Sequence, residues 1–392
     1  MLYLDVTRLY TNFRTGKGVT GVDKVALAYI AEFAQEACAV IRLPSHWLFF
    51  DRTRSDKIFT HLLQHKEIKL SIWDKKRYTQ PSNAPTNVLL NVTHSGLDSP
   101  QYLTRLQQYG LRGVYFLHDL IPIDYPEYCR AGEYDRHVQR LLTMLQGDLI
   151  IANSRYTLQR LEVFCKRFNY VMPPTVWAHL AADPKDNIKP ITASERALMD
   201  LIVGKKNYFV CLGTIEGRKN HLLLLNVWRQ LVRKLGKDCP KLVLIGKRGW
   251  EAEQVFDMLD RSIELHDVVV ELNHCDNAQI NYLLNHAQAL LFPSWAEGFG
   301  LPLLESLQTN TQVIASDIPA FREIATETVR LISPFDEVAW HQAILKLHTS
   351  DIKNPVLQNI NPQRDVEAVF GWHIHFAYTK PPITRVLDSS LN

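Results

Sequence analysis

Short apolar runs alternate with longer amphipathic stretches twice along this chain, a rhythm that confines it to folds in which parallel strands are joined by crossover helices. In the first half, Leu2–Val6, Ala39–Leu43, Val88–Val92, Gly113–Leu117 and Asp148–Ala152 read as strands. Between the first two, Val22, Val25, Ala26, Tyr29 and Phe33 recur at the spacing of one helix face. From Met172 to Pro190 the rhythm breaks, with Pro173, Pro174, Pro184 and Pro190 among polar residues, as in an interdomain connector. A second series follows, with Tyr208–Gly213, Leu242–Gly246, Val268–Leu272, Ala289–Phe292 and Gln312–Ala315 as strands and Leu224, Val227, Trp228 and Leu231 as a helix stripe. The expected fold class is α/β, with two Rossmann-like βαβ domains at 1–180 and 181–368 and a C-terminal tail at 369–392.

Length and charge narrow the function classes. A chain of 392 residues suits two domains better than one core. With 46% hydrophobic and 22% charged residues it belongs with ordinary globular proteins. A net charge of only +3 gives no electrostatic basis for a nucleic-acid partner. Six singly scattered cysteines lack metal-ligand spacing and fit a reducing cytosol. The N-terminus runs into a strand-like segment carrying Asp5 instead of a signal peptide, and no apolar run reaches about 18 residues, so a cytoplasmic location is expected. Residues 52–79 stand apart, with eight Lys/Arg against three Asp/Glu and Ile58, Phe59, Leu62, Leu63, Ile72 and Trp73 interleaved. They read either as a solvated helix and loop or as an acceptor-binding surface that touches the membrane peripherally.

Four segments have the makings of a site. Residues 293–305 (PSWAEGFGLPLLE) follow the strand Ala289–Phe292 and lead into a helix with Pro302 near its start. Gly298 and Gly300 allow a bend or a close approach, and the helix N-terminus offers unpaired N–H groups to an oxygen-rich ligand. Glu297 and Glu305 can face one crevice from different depths. Residues 210–220 (VCLGTIEGRKN) place Arg218 and Lys219 where a strand turns into a helix, suited to neutralising a diphosphate. His118 and Asp119 follow the strand Gly113–Leu117, at the edge where α/β proteins bind ligands. Gly18 and Gly21 lie in the first strand-to-helix turn, but their spacing is not that of a dinucleotide fingerprint.

Residues 293–305 resemble the E-x7-E signature of family-4 retaining glycosyltransferases, commonly P-S-x-x-E-G-F-G-L-P-x-x-E. Residues 213–220 resemble that family's G-x-x-x-x-R-K-N loop, with Thr214 where many members carry arginine, and residues 118–122 resemble its H-D-x-x-P pattern. The resemblance implies a GT-B fold, two Rossmann-like domains facing a central cleft. It implies Glu297 beside the donor sugar, Glu305 on the nucleotide ribose, and Arg218 and Lys219 on the pyrophosphate. His118 would lie close to the transferring bond, with Asp119 and Asp124 supporting the loop or the acceptor. Gly213, Thr214, Gly298, Phe299, Gly300 and Leu301 would complete the donor site, joined by Gly18, Gly21 and Ser154, although Ser154 reads equally well as a helix N-cap. Asn310 replaces a customary glycine, and Phe370 and Trp372 resemble the start of a last helix that crosses back to the first domain.

The expected activity is retaining transfer from a nucleotide sugar to a glycan or lipid-linked glycan hydroxyl in surface polysaccharide synthesis. Neither cofactor nor metal is expected, because Arg218 and Lys219 would do a divalent cation's work. The rivals are a nucleotide-sugar epimerase or hydrolase on the same fold and a non-catalytic sugar-nucleotide-binding subunit.

Overall fold

A computed structural model describes residues 1–70, 80–81, 87–182, 190–204, 207–309, 311–349, 366 and 369–388. Ile72, Trp73, Pro184 and Asn310 lie outside the described residues. The chain divides into two compact units, the first comprising Met1–Ile123, Tyr134–Leu180 and Trp372–Asn392, the second Asp124–Glu133 and Ala181–Gly371.

In the first unit the described strands are β1 (Leu2–Asp5), β2 (Ala37–Arg42), β3 (Trp47–Phe49), β4 (Asn87–Asn91), β5 (Leu111–Leu117), β6 (Leu149–Ala152) and β7 (Thr175–Trp177), in the spatial order β3-β2-β1-β4-β5-β6-β7. Every neighbouring pair is parallel except β2 with β3. Helices cover both faces, so central strands are apolar at every position instead of alternating, and β4 is buried throughout. One face packs Tyr3, Val40, Leu89, Tyr115 and Ile150 against Leu106, Leu141 and Leu161. On the helix Gly21–Phe33, Val25, Ala26, Tyr29 and Phe33 are buried, four of the five residues in the expected stripe.

The helix Trp372–Asp388 closes this unit. Nδ1 of His375 faces the His179 carbonyl at 2.8 Å and must donate, which leaves Nε2 to accept from the Tyr29 hydroxyl at 2.9 Å. Lys380 pairs with Glu32 and Glu36, each at 3.0 Å, and Arg112 donates to the Val386 carbonyl at 2.7 Å.

The helix Arg52–Leu63 begins at Asp51, whose carboxylate accepts from the Arg54 N–H. Ile58, Phe59 and Leu62 are buried, so the described part of the basic 52–79 stretch spends these apolar residues on folding. Residues 71–79 lie outside the described set. Among the described residues no helix is long and apolar enough to cross a membrane.

The second unit repeats the scheme with β8 (Tyr208–Leu212), β9 (Lys241–Ile245), β10 (Val269–Leu272), β11 (Leu290–Phe292), β12 (Val313–Ser316) and β13 (Val329–Ile332), ordered β10-β9-β8-β11-β12-β13 and parallel throughout. Leu224, Val227, Trp228 and Leu231, the expected helix stripe, are completely buried on the helix His221–Leu235. The Trp228 indole satisfies its one donor on the Pro240 carbonyl at 2.9 Å, as a buried tryptophan must. Asp124–Glu133 joins this unit instead of the first, because Arg130 stacks over the Trp250 ring at 4.4 Å and Tyr128 lies beside Gly217. Strands β3, β7 and β13 were not expected. The first two are three-residue edge strands, too short for a period to register.

Candidate active site

Strand order reverses between β8 and β11, and a doubly wound sheet opens its binding crevice at the carboxyl ends of such a pair. The two strongest sequence segments are the loops at those ends. After β8, Gly213 adopts φ +137, then Gly217–Lys219 forms one 3₁₀ turn and Asn220 takes the left-handed conformation, φ 54, before the helix His221–Leu235. After β11, the chain runs through Ser294 and Glu297 to Gly300, φ +114, which precedes the helix Leu301–Gln308. Two hydrogen bonds to backbone carbonyls stitch the loops together. The Trp295 N–H donates to the Arg218 carbonyl at 2.8 Å, and Arg218 Nη1 donates to the Ala296 carbonyl at 3.1 Å.

The predicted charges meet there. Glu297 is buried, with Oε2 2.7 Å from Arg218 Nη1 and Oε1 2.6 Å from Lys219 Nζ. Oε1 also accepts from the buried Ser294 hydroxyl at 2.8 Å. Arg218 reaches the other way through Nη2 to Glu216 at 2.7 Å, and the Lys219 ammonium stands 4.6 Å from the centre of the Phe292 ring. Two carboxylates and two cations thus form one mostly buried cluster. Burial pushes the Glu297 carboxyl up, but Arg218 and Lys219 overcome it and hold the group at about 2. Glu216 shifts the other way: burial raises it and Arg218 only partly opposes the change. Burial also lowers the Lys219 ammonium, against the pull of Glu297.

Glu216 and Ser294 did not emerge from the sequence, and neither did Gly246 and Gly249 after β9. A Cβ on Gly246 would lie 2.0 Å from the Gly213 carbonyl oxygen, and one on Gly249 would lie 2.7 Å from Thr214 Cγ2. Glycine therefore lets the loop after β9 press against Gly213 and half-buried Thr214. A strand ending directly in glycine was the available signal.

The remaining donor-side residues have mixed fates. Phe299 is buried in the fold, so any ligand contact there is left to its backbone. Gly300 is required by its positive φ and by Phe321, whose Cε1 would lie 2.8 Å from an added Cβ. Gly298 and Leu301 flank this turn half-buried, and Glu305 lies half-buried one turn into the helix.

In the first unit, His118 follows β5 and is buried. Its Nε2 faces the Val92 carbonyl at 2.6 Å and so carries the proton, while the His118 backbone N–H donates to His94 Nε2 at 3.2 Å. Burial holds its pKa down at about 4, so the ring is neutral at physiological pH. Asp119 caps its own turn by accepting the Ile121 N–H at 3.0 Å. Asp124, expected on the acceptor side, ends a short helix and groups with the second unit. Ser154 is the N-cap of the helix Arg155–Phe168: its hydroxyl accepts from the Thr157 N–H at 2.9 Å and donates to the Thr157 hydroxyl at 3.0 Å. The N-cap role, one of the two readings the sequence offered for Ser154, is therefore filled. Gly18 is exposed, with open space where a Cβ would sit, and Gly21 opens the helix Gly21–Phe33. Their turn is instead tied by buried Asp23, which accepts from Arg8 at 2.8 Å, Asn12 at 3.2 Å and the Thr20 N–H at 2.9 Å.

Two Rossmann-like units with mostly parallel sheets, the second bearing this charged cluster at its switch point, define a protein of the GT-B fold. Solved structures agree: the chain aligns with Anabaena HepE in complex with UDP and glucose at TM-score 0.68 (15% identity, 99% of both chains) and with a sucrose-phosphate synthase from Thermosynechococcus elongatus at 0.67 (17%, 99% of both). Residues 200–363 match the family Glycosyl transferases group 1. Among curated proteins it is 28% identical over 240 residues to the serotype-specific mannosyltransferase WbdA of Escherichia coli, 58% of this chain and 29% of that protein. It is 35% identical over 141 residues to the O-antigen chain mannosyltransferase RfbU of Salmonella typhimurium, 36% of this chain and 38% of that protein. The matched regions span well under half the length of both relatives.

Proposed function

We propose that this chain is a retaining glycosyltransferase that moves a hexosyl group from a nucleoside-diphosphate sugar to a hydroxyl of a glycan or lipid-linked glycan in O-antigen-type surface polysaccharide assembly. The observation that carries this is the cluster of Glu297, Arg218 and Lys219 at the carboxyl ends of β8 and β11. Breaking the bond between the anomeric carbon and the diphosphate leaves negative charge on the departing oxygen and positive charge on the sugar. Preorganised charges of opposite sign are what such a step needs. Arg218 and Lys219 serve the diphosphate, Glu297 faces the sugar, and Glu305 takes the ribose hydroxyls. His118 stays neutral. The acceptor oxygen bonds to the anomeric carbon on the face the diphosphate leaves, and its proton passes to the departing phosphate.

The donor needs no divalent metal in this reading, since two cations already belong to the chain. Mannose is the first sugar to test, because the similar curated proteins are named mannosyltransferases. The expected location is the cytoplasm.

A thermal-shift panel of nucleotide sugars should single out one donor, because a ligand that binds only the folded state raises the melting temperature. Transfer to an acceptor glycan should then retain the anomeric configuration and proceed unchanged in EDTA. Rapid nucleotide release from donor alone would point to a hydrolase or epimerase instead, and stabilisation by no donor would remove the support.

A further inference from the structure

We infer that the end of the helix Arg155–Phe168 and the turn after it form a docking patch for a bilayer surface rich in anionic lipid headgroups. Within nine residues Val163, Phe168, Tyr170 and Val171 are 48%, 41%, 41% and 88% exposed, an unusual density of large apolar side chains on a folded surface. The aromatic ones form one group with Phe164. The Phe168 ring lies 5.0 Å from Phe164 and 6.3 Å from Tyr170, and Phe164 lies 5.9 Å from Tyr170. Phe164 is itself buried in the first unit's core, so the patch is anchored to the fold.

The turn is set by Asn169, which ends the helix in the left-handed conformation at φ 56 and sends Tyr170 and Val171 back past the helix end. The same last turn carries Lys166 and Arg167, both exposed, with the Arg167 guanidinium 5.3 Å from the centre of the Phe168 ring.

Charge complementarity selects the occupant. Aromatic and aliphatic side chains beside cations match the headgroup boundary of an anionic bilayer, where rings sit at the interface and ammonium and guanidinium groups meet lipid phosphates. The described part of the basic stretch singled out in the sequence is less suited, because Ile58, Phe59 and Leu62 face the core. The patch at 163–171 has its apolar groups already outside. Both chemistries must contribute: two cations alone give salt-sensitive attraction, and four apolar residues alone give no preference for lipid charge.

The test is co-sedimentation of the full chain with vesicles of phosphatidylcholine alone or mixed with phosphatidylglycerol, at low and high salt. The wild type should partition onto the mixed vesicles, release at high salt and ignore the neutral ones. Lys166→Gln and Arg167→Gln should each lower partitioning about fivefold. Val171→Asp, at the most exposed position, should weaken binding at unchanged melting temperature, and Val171→Trp should strengthen it. Equal binding to neutral vesicles, no binding to the mixed ones, or indifference to all four substitutions would overturn the inference. So would concentration-dependent dimerisation abolished by Val171→Asp, which would make the patch a contact between copies.

Discussion

Lys219 Nζ stands 2.6 Å from Glu297 Oε1, although 78 residues separate them and both side chains are buried. Removing one partner of such a pair strands the other charge out of water. Glu297→Gln should therefore destabilise the chain by about 3 kcal/mol, within the usual range for breaking a buried pair. Replacing both, as Lys219→Met with Glu297→Gln, should cost less than the sum of the single changes. Chemical denaturation of the four proteins measures the coupling.

Acid should weaken the fold in two steps. His118 has its pKa lowered from 6.5 to about 4, so the unfolded chain takes up a proton that the folded one refuses. Its contribution is fully present above about 6.5 and is lost as pH falls toward 4. His375, lowered to about 4 by burial, acts in the same direction. Glu297 follows between its ordinary 4.5 and about 2, while Glu216, shifted upward, offsets part of that loss. Melting temperature against pH should fall from 6.5 downward. His118→Gln should be less stable at pH 7 yet show a shallower decline.

Two glycines should behave oppositely. Gly246→Ala puts a methyl group 2.0 Å from the Gly213 oxygen on a backbone at φ +157, which should cost about 2 kcal/mol or more. Gly18→Ala meets nothing and should change stability by less than about 0.5 kcal/mol. Unfolding midpoints of the two variants decide this.

Ser154→Ala should cost about 1 kcal/mol, as loss of an N-cap does, and leave donor affinity unchanged. Parallel melting and binding measurements separate the capping role from a ligand role.

Much of this was legible because parallel strands buried on both faces leave uninterrupted apolar runs. The expected β1 and β8 begin at the observed residues and end one residue beyond them. Arg218, Lys219 and Glu297 were legible as a set because strand-to-helix turns in an α/β sheet collect at one edge. Their pairing with one another was not, since sequence separation says nothing of which charges meet. Glu216 escaped for the same reason. That Ser154 caps a helix and that Gly18 faces open space are facts of three dimensions, which sequence position does not carry.

The central claim is that the cluster receives the diphosphate of a sugar donor. Isothermal titration of the matching nucleoside diphosphate into wild type and Arg218→Gln tests it most directly, because Arg218 is part-exposed and its removal leaves the Lys219–Glu297 pair in place. Loss of a charge-assisted contact should weaken binding roughly 10- to 100-fold. Equal affinity in the two proteins would contradict the account.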